Sequence, residues 1–350
     1  MQGLNITQQR LFNQRLIKSK FTKPSEVVKW LGAVQAQDYP GAKWALSLRI
    51  QGSMGADIEK AIVDGSIIRT HVLRPTWHFL AAEDARWILE LTAPRVKKII
   101  SHYDKKLGLD EKTVLRSNFI FTKALKGNKQ LIRTELKEII KKEGINIDGM
   151  RFGFMLAHAE LDRVTCSGAK RGKQFTYALF DDRVPKTESK TKEEALAELV
   201  RRYFTSHGPA QLQDFVWWSG LTMKDAKEGI ELNKQELVSQ TINDKTYWFS
   251  KSMQFVKNLP AAAYLLPNYD EYMISYKDRS DFFPNKEMQR IGSKNHIFNN
   301  SIVLNGKIIG SWKKDIKNKV ITDIFVKLTN EETKLVDKSI QDYYKFTNHI

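Results

Sequence analysis

The sequence predicts an α+β fold in which two or three helices are followed by a two-stranded hairpin, a pattern that recurs three times. Three observations carry this reading. Apolar residues at helical spacing give way to short β-branched runs. A helix, a glycine turn and a second helix follow one another in the third pass. An Asn-Gly pair between apolar runs marks a further hairpin near the C-terminal end.

The first unit, 1–105, starts its helices at Thr22-Lys23-Pro24-Ser25, where Thr22 or Ser25 can cap and Pro24 suits the first turn. Val27, Leu31 and Val34 mark an apolar face. A second helix, near 56–64, ends at Gly65. IIRTHVL and TWHFLA then form a hairpin around Arg74-Pro75, and a helix from Glu83 closes the unit. The second unit, 106–188, reads as helices over EKTVLRSNFIFTKAL, RTELKEIIKKE and DGMRFGFMLAHAELD, then the hairpin VTCSGAKRGKQFTYALF with a basic loop. The third unit, 189–260, has helices over EEALAELVRRYFTSH, AQLQDFVWW and TMKDAKEGIEL, with the strand TYWFS after them. The last segment, 261–350, is aromatic-rich and then β-rich: SIVLNG and KIIGSW meet at Asn305-Gly306, and NEETKLVDKSIQDYYKF is a final helix. Helices followed by a hairpin make a winged helix, whose helix can enter a major groove and whose wing can touch backbone. The same pattern also serves protein-interaction scaffolds and simple bundles.

Charge favours a polyanionic partner. Lys and Arg number 57 against 40 Asp and Glu, a net +17, in a chain 41% hydrophobic and 28% charged. Nucleic acid or an anionic membrane surface fits such an excess. A single cysteine, Cys166, excludes an intrachain disulfide and a cysteine-rich zinc site, and its strand-like surroundings make it a packing residue. The seven histidines show no metal spacing, so no metal and no other cofactor is expected. Walker, dinucleotide-binding, HExxH and GxSxG signatures do not occur. No apolar stretch is long enough to span a bilayer, and the polar MQGLNITQQRLFNQR lacks a signal-peptide core, which gives a cytoplasmic, membrane-free expectation.

One segment stands apart: LGAVQAQDYPGAKWALSLR, residues 31–49. Gln35 and Gln37 flank Ala36. A helix would send them to different sides, whereas an extended segment puts them on the same side. Asp38-Tyr39-Pro40-Gly41 is a breaker cluster. The preceding helix is therefore expected to end near Val34, and the two amides can converge in a pocket. The alternative, which spacing alone favours, has Gln37 and Asp38 capping and solvating a helix end.

With this segment, the chain resembles the AlkZ-like (YcaQ-like) winged-helix DNA glycosylases. The resemblance rests on Gln35-Ala36-Gln37-Asp38 with Ala45 and Arg49, on Ile68-Arg69-Thr70 through Thr76-Trp77-His78 with Glu83-Asp84, and on RGKQFTY at 171–177. It extends through RYFTSHGPAQLQDFVWWSGL at 202–221 and LLPNYDEYMISYKDR at 265–279. It implies three tandem winged helices around a DNA-binding cleft, and catalytic residues Gln35 and Gln37. Relatives with aspartate at the third motif position exist; this chain has glutamine. Where relatives read Arg-Gly-Thr-aliphatic-His, this chain has Arg74-Pro75-Thr76-Trp77-His78, a stiffer turn with a bulkier side chain that bears on substrate choice.

Glycosidic hydrolysis passes through an oxocarbenium-like state and usually employs carboxylates. A purine alkylated at N7 or N3 already carries positive charge and leaves readily. Neutral amides can then suffice: they hold the water and the sugar, and their carbonyl dipoles face the developing cation. A glutamine does not accept a proton near neutral pH. The expectation is thus a monofunctional glycosylase for cationic alkylpurines, bulky adducts or interstrand crosslinks, working as a monomer on double-stranded DNA. The absence of a lyase step rests only on the absence of a lysine in the motif. Pocket candidates are Asp38, Tyr39, Trp44, Trp77, His78, Tyr269 and Asp270, although Asp270 can equally tie down a loop. Phosphate contacts are expected first from Lys170, Arg171 and Lys173, then from Arg69, Arg74, Lys313 and Lys314. A non-catalytic winged-helix DNA-binding protein or regulator fits the charge and the helical units equally well. An RNA binder fits less well, because no RNA-binding motif is present.

Overall fold

The computed structural model describes residues 4–52, 55–283 and 300–348. The first third contains α1 (Ile6–Asn13), α2 (Pro24–Leu31), β1 (Val34–Gln35), α3 (Tyr39–Ser47), α4 (Gly55–Val63), β2 (Ile67–Val72), β3 (Thr76–Ala81) and α5 (Ala82–Leu107). The middle contains α6 (Glu111–Leu125), β4 (Leu131–Ile132), α7 (Arg133–Lys142), α8 (Arg151–Leu161), β5 (Thr165–Ser167), β6 (Thr176–Leu179) and the short α9 (Phe180–Arg183). Next come α10 (Lys192–Ser206), α11 (Leu212–Ser219), α12 (Met223–Leu232), β7 (Leu237–Ile242) and β8 (Lys245–Ser250). The chain continues through β9 (Ala263–Leu266), α13 (Glu271–Ile274), β10 (Ser301–Leu304), β11 (Lys307–Lys314) and β12 (Val320–Ile324) to a C-terminal helix, Asn330–Asn348.

The architecture is mixed α+β, as expected, and the three hairpins β2–β3, β5–β6 and β7–β8 fall after their helices. Two hairpins gain a third, two-residue strand from the chain between helices: β1 pairs with β3, and β4 with β6. A single bridge, Ala210 to Trp248, occupies the same place in the third hairpin. The last sheet runs β12-β11-β10-β9, with its Asn305-Gly306 turn in left-handed backbone at both residues.

Several elements differ from the sequence reading. Helix α2 stops at Leu31 rather than near Val34, because Gly32 takes φ +80°. The Asp38–Gly41 cluster does more than break a helix. Asp38 caps α3 by accepting from Gly41 N–H (3.2 Å), and Pro40 sits in its first turn. A side chain at Gly41 would collide with that carboxylate, so the cap needs the glycine. Strands β7, β9 and β12 and helix α1 have no counterpart in the sequence reading.

Buried apolar residues form three clusters. One unites α1, α5, α10–α12 and residues 266–282. A second joins α2–α4 to the last sheet and the C-terminal helix. The third belongs to the middle segment, from Leu109 to Tyr177. The described residues of 261–348 thus pack into the cores of earlier elements. Their polar anchor is Arg49, 1% exposed, with an acceptor for each guanidinium nitrogen. Two bonds of 2.8 Å go to Asp270, and the rest to Ala45 O, Gln14 O and Gln14 Oε1.

Removing one partner of a fully buried, hydrogen-bonded ion pair leaves an uncompensated charge. Asp270→Ala is expected to lower the unfolding free energy by about 3–5 kcal/mol, read from urea denaturation; a loss below about 1 kcal/mol would mean the pair behaves as a surface bridge.

Candidate active site

The Gln-Ala-Gln segment is extended because strand pairing holds it between a helix end and a helix start. Val34 pairs with Phe79, Gln35 with His78, and Ala36 N–H donates to Trp77 O (2.8 Å). The outer edge of β1 has no strand beside it. There Gln35 N–H donates to Glu271 Oε1 (2.7 Å). The two amides are held together but are not equivalent. Gln37 is exposed, whereas Gln35 is 5% exposed and its Oε1 accepts from Gln37 N–H (3.1 Å).

Behind Gln35 lies a buried polar layer. Gln35, His78 and Thr70 are directly opposite one another across β1-β3-β2, so their side chains share a face. Glu271 accepts from Trp218 Nε1 (3.1 Å) and Ser275 Oγ, with His207 Nε2 3.7 Å away. Burial pushes its carboxyl up, but these partners and the Gln35 amide outweigh that and bring it to about 2, so it is ionised. His78 is fully buried. Burial, then the Arg74 charge, pull its pKa down to about 3, which leaves a neutral ring with Nδ1 on Thr76 O (2.9 Å). His78 Nε2, Arg74 Nε and Nη2, and the Thr70 and Thr76 hydroxyls are buried without a partner among the described residues.

The other face of the same sheet meets the middle segment. Arg69, 8% exposed, donates through Nε to Ala36 O (3.1 Å) and lies over the rings of Trp77 (4.5 Å), Phe175 (4.7 Å) and Tyr39 (6.0 Å). His71 packs on Trp77 (4.3 Å between ring centroids). Glu160 of α8, 1% exposed, receives His71 N–H (2.8 Å) and Trp77 Nε1 (3.4 Å) and meets His71 Nδ1 at 2.5 Å. A groove of about 610 Å³ opens here, between the first hairpin with α5 and the middle helices. Gln37, His71, Trp77, Tyr103, Arg133 and Met150 lie along it.

The expected site residues therefore divide. Gln37 and Trp77 line the groove, with Gln35 beneath. Tyr39 is buried: its hydroxyl donates to Glu59 (2.9 Å) and its ring packs on Phe79 and Phe175. Trp44 does not reach the groove; the turn of α3 buries it against Tyr343 and Phe346, with Nε1 on Leu265 O. Asp270 is committed to Arg49 and His78 is sealed in the sheet, so neither offers a pocket wall. Tyr269 is half-buried in left-handed backbone. Asp38 lines a separate polar groove with Lys313.

Two of the expected phosphate contacts point inward. Arg69 is the buried clamp just described. Arg74 has buried nitrogens and packs against Gly220, whose lack of a side chain lets the α11–α12 turn approach Leu73 O. Lys173, Lys313 and Lys314 are exposed; Arg171 is exposed but bonded to Glu135 and Gln130 O. Lys170 sits 5.1 Å from the Tyr39 ring centre, which seats the second hairpin loop beside the Gln-Ala-Gln turn. Sequence reasoning missed His71, Glu160 and Glu271. A carboxylate in the apolar stretch FGFMLAHAELD, and a second one beside Asp270, were the signals available. Cys166 is a core residue, its thiol pushed up to about 12 by burial.

Fold and groove together define an α+β protein whose helix–hairpin units surround a locked glutamine strand and carry basic loops beside it. The model of the DNA glycosylase AlkZ-like family matches residues 28–346, and the chain belongs to that family. An interstrand DNA cross-link repair glycosylase of Streptomyces sahachiroi is 25% identical over 217 residues. That alignment covers 59% of this chain and 58% of the relative, so it spans less than two thirds of that protein. The solved structure of the Streptomyces sahachiroi DNA glycosylase AlkZ has a similar fold, with TM-score 0.81 over 99% of this chain and 98% of that one at 19% identity. Among the described residues no helix is long and apolar enough to cross a membrane, and no cluster of His, Cys, Asp and Glu could hold a metal.

The buried neutral His78 makes a pH prediction. Its pKa is about 3 folded and about 6.5 unfolded. Stability is full above pH 6.5 and drains away as pH falls toward 3, because only the unfolded chain binds the proton. His78→Gln is expected to shrink the loss of unfolding free energy between pH 7 and pH 4 by up to about 3 kcal/mol. Equal losses in both proteins would show that His78 does not titrate this way.

Proposed function

We propose that the protein is a monofunctional DNA glycosylase. It hydrolyses the N-glycosidic bond of purines made cationic by alkylation at N7 or N3 in duplex DNA, bulky adducts and crosslinks included. The observation that carries this reading is Gln37 at the wall of a groove, its backbone fixed by Gln35 Oε1 and the strand fixed by Glu271. Family membership supports an enzyme over a non-catalytic regulator. The three helix–hairpin units are read as winged helices, two of the hairpins taking a short strand from between their helices and the third a single bridge there.

In this reading the Gln37 amide orients the attacking water and its carbonyl dipole faces the oxocarbenium-like carbon. Gln35 is a positioning residue through its bond to Gln37 N–H, and no described residue takes its NH2 group. The substrate's own charge makes the base a good leaving group, so no acid need protonate it. Trp77, half-buried at the groove wall, offers a face to an extruded or partly exposed base. Lys170 and Lys173 on the second hairpin, with Lys313 and Lys314 on β11, grip phosphates from flanking positions. Arg171 joins them when it exchanges Glu135 for a phosphate.

Base release from a duplex carrying one N7-methylguanine tests the reading, with a crosslinked duplex as second substrate. Gln37→Ala is expected to slow release by about 100-fold or more while duplex affinity stays within about threefold. Failure of the wild type on both substrates would overturn the proposal. For the grip, Lys173→Ala is expected to reduce the slope of log affinity against log salt by about 0.9, measured by fluorescence anisotropy. An unchanged slope would place DNA elsewhere.

A further inference from the structure

Amides that orient a water leave one demand unmet: the water must lose a proton as it bonds to carbon, and glutamine does not accept one. The groove holds a group that can. His71 lies along it with Gln37 and Trp77, and its ring is stacked on Trp77, whose carbonyl accepts from Ala36 between the two glutamines. Its Nδ1 is 2.5 Å from Glu160 Oε2. That carboxylate already accepts His71 N–H and Trp77 Nε1–H, so it is the acceptor and Nδ1 the donor. The tautomer is thereby set, with the lone pair on Nε2. Glu160 is 1% exposed, anchored in α8 of the middle segment, while His71 belongs to the first hairpin. A buried carboxylate that orients an imidazole, whose other nitrogen is left for a groove, is the arrangement of a general base and its orienting group.

We propose that His71 is the general base of the excision reaction and Glu160 its positioning residue. The proposal rests on the glycosylase reading of the same groove and supplies its missing proton acceptor. In the step, the water oxygen bonds to C1′ as the C1′–N9 bond breaks. The electron pair of that bond goes to the departing purine and cancels its positive charge. A water proton passes to His71 Nε2, and the imidazolium that results is held by the Glu160 carboxylate through Nδ1–H. Deprotonation to solvent after product release restores the base. The dyad also makes the middle segment part of the chemistry, because α8 supplies the carboxylate that orients a base carried by the first unit.

The test is single-turnover base release from N7-methylguanine and crosslinked duplexes by the full chain, with duplex affinity and thermal melting measured in parallel. His71→Asn keeps an N–H donor toward Glu160 and loses the basic nitrogen. It is expected to melt as the wild type does, bind DNA as well, and release base about 100-fold more slowly. His71→Ala is expected to lose as much and to regain part of the rate when imidazole is added, a rescue that a merely structural role would not give. Glu160→Gln is expected to lose about 10-fold. A His71→Asn variant with wild-type rates, or His71→Ala without imidazole rescue, would overturn the dyad and leave the glycosylase standing. Absence of release by the wild type from both duplexes would remove the glycosylase reading and the dyad with it.

Discussion

Two adjacent buried carboxylates, Asp270 and Glu271, hold the candidate site in place. Asp270 takes the guanidinium of Arg49 at the end of α3, and Glu271 takes the backbone N–H of Gln35 at the open edge of β1. A two-residue strand paired on one side has little to hold it. The second edge is supplied by a side chain from a segment more than two hundred residues further along the chain. Burying two carboxylates carries a large desolvation cost, offset here because all four carboxylate oxygens accept hydrogen bonds. Asp270 also accepts Tyr272 N–H, so one residue caps α13 and anchors Arg49 together.

That clamp lets a single small sheet present two different environments. One face, with Gln35, His78 and Thr70, is buried and polar, its histidine neutral and several atoms without a partner among the described residues. The other, with Arg69, His71 and Trp77, opens toward the groove and the middle segment. Arg69 is shielded by three rings and by its bond to Ala36 O, so it stiffens the backbone between the glutamines. Rigid support of this kind keeps reacting groups within the narrow tolerance that catalysis demands. Lys173, Lys313 and Lys314, by contrast, are exposed.

The helix–hairpin alternation was legible because amphipathic spacing and turn chemistry are local signals: Gly65, Gly220 and Asn305-Gly306 each mark a boundary that the fold keeps. The extended backbone at Gln35 was only one of two readings: spacing alone favoured Gln37 and Asp38 at a helix end, and Asp38 does cap α3, while pairing with β3 extends Val34 and Gln35. Helix α1 was not legible, since beside Leu11 and Phe12 it buries Gln9, Arg10 and Asn13 against distant backbone, which blurs its apolar face. Helix α3 hid behind Pro40 and Gly41, which end one helix and start another with equal ease. Trp44 and Asp270 looked like pocket residues because they flank motifs, but the turn of a helix and a tertiary ion pair decide where they point. Arg69 and Arg74 looked like DNA contacts for their charge; burial, which sequence does not print, gives them other work. The pairing of His71 with Glu160 joins residues 89 positions apart, beyond any local pattern.

The claim that the carboxylate clamp positions the glutamine strand for chemistry is tested most directly by the Glu271→Gln variant, which preserves shape and removes charge. Its single-turnover base release would be measured on an alkylated duplex, alongside duplex affinity. Release at least about 10-fold slower with affinity unchanged is predicted, because the proposed phosphate contacts, Lys170, Lys173, Lys313 and Lys314, lie on other elements. Wild-type release by the variant would contradict it, and the strand would then be held by β3 alone.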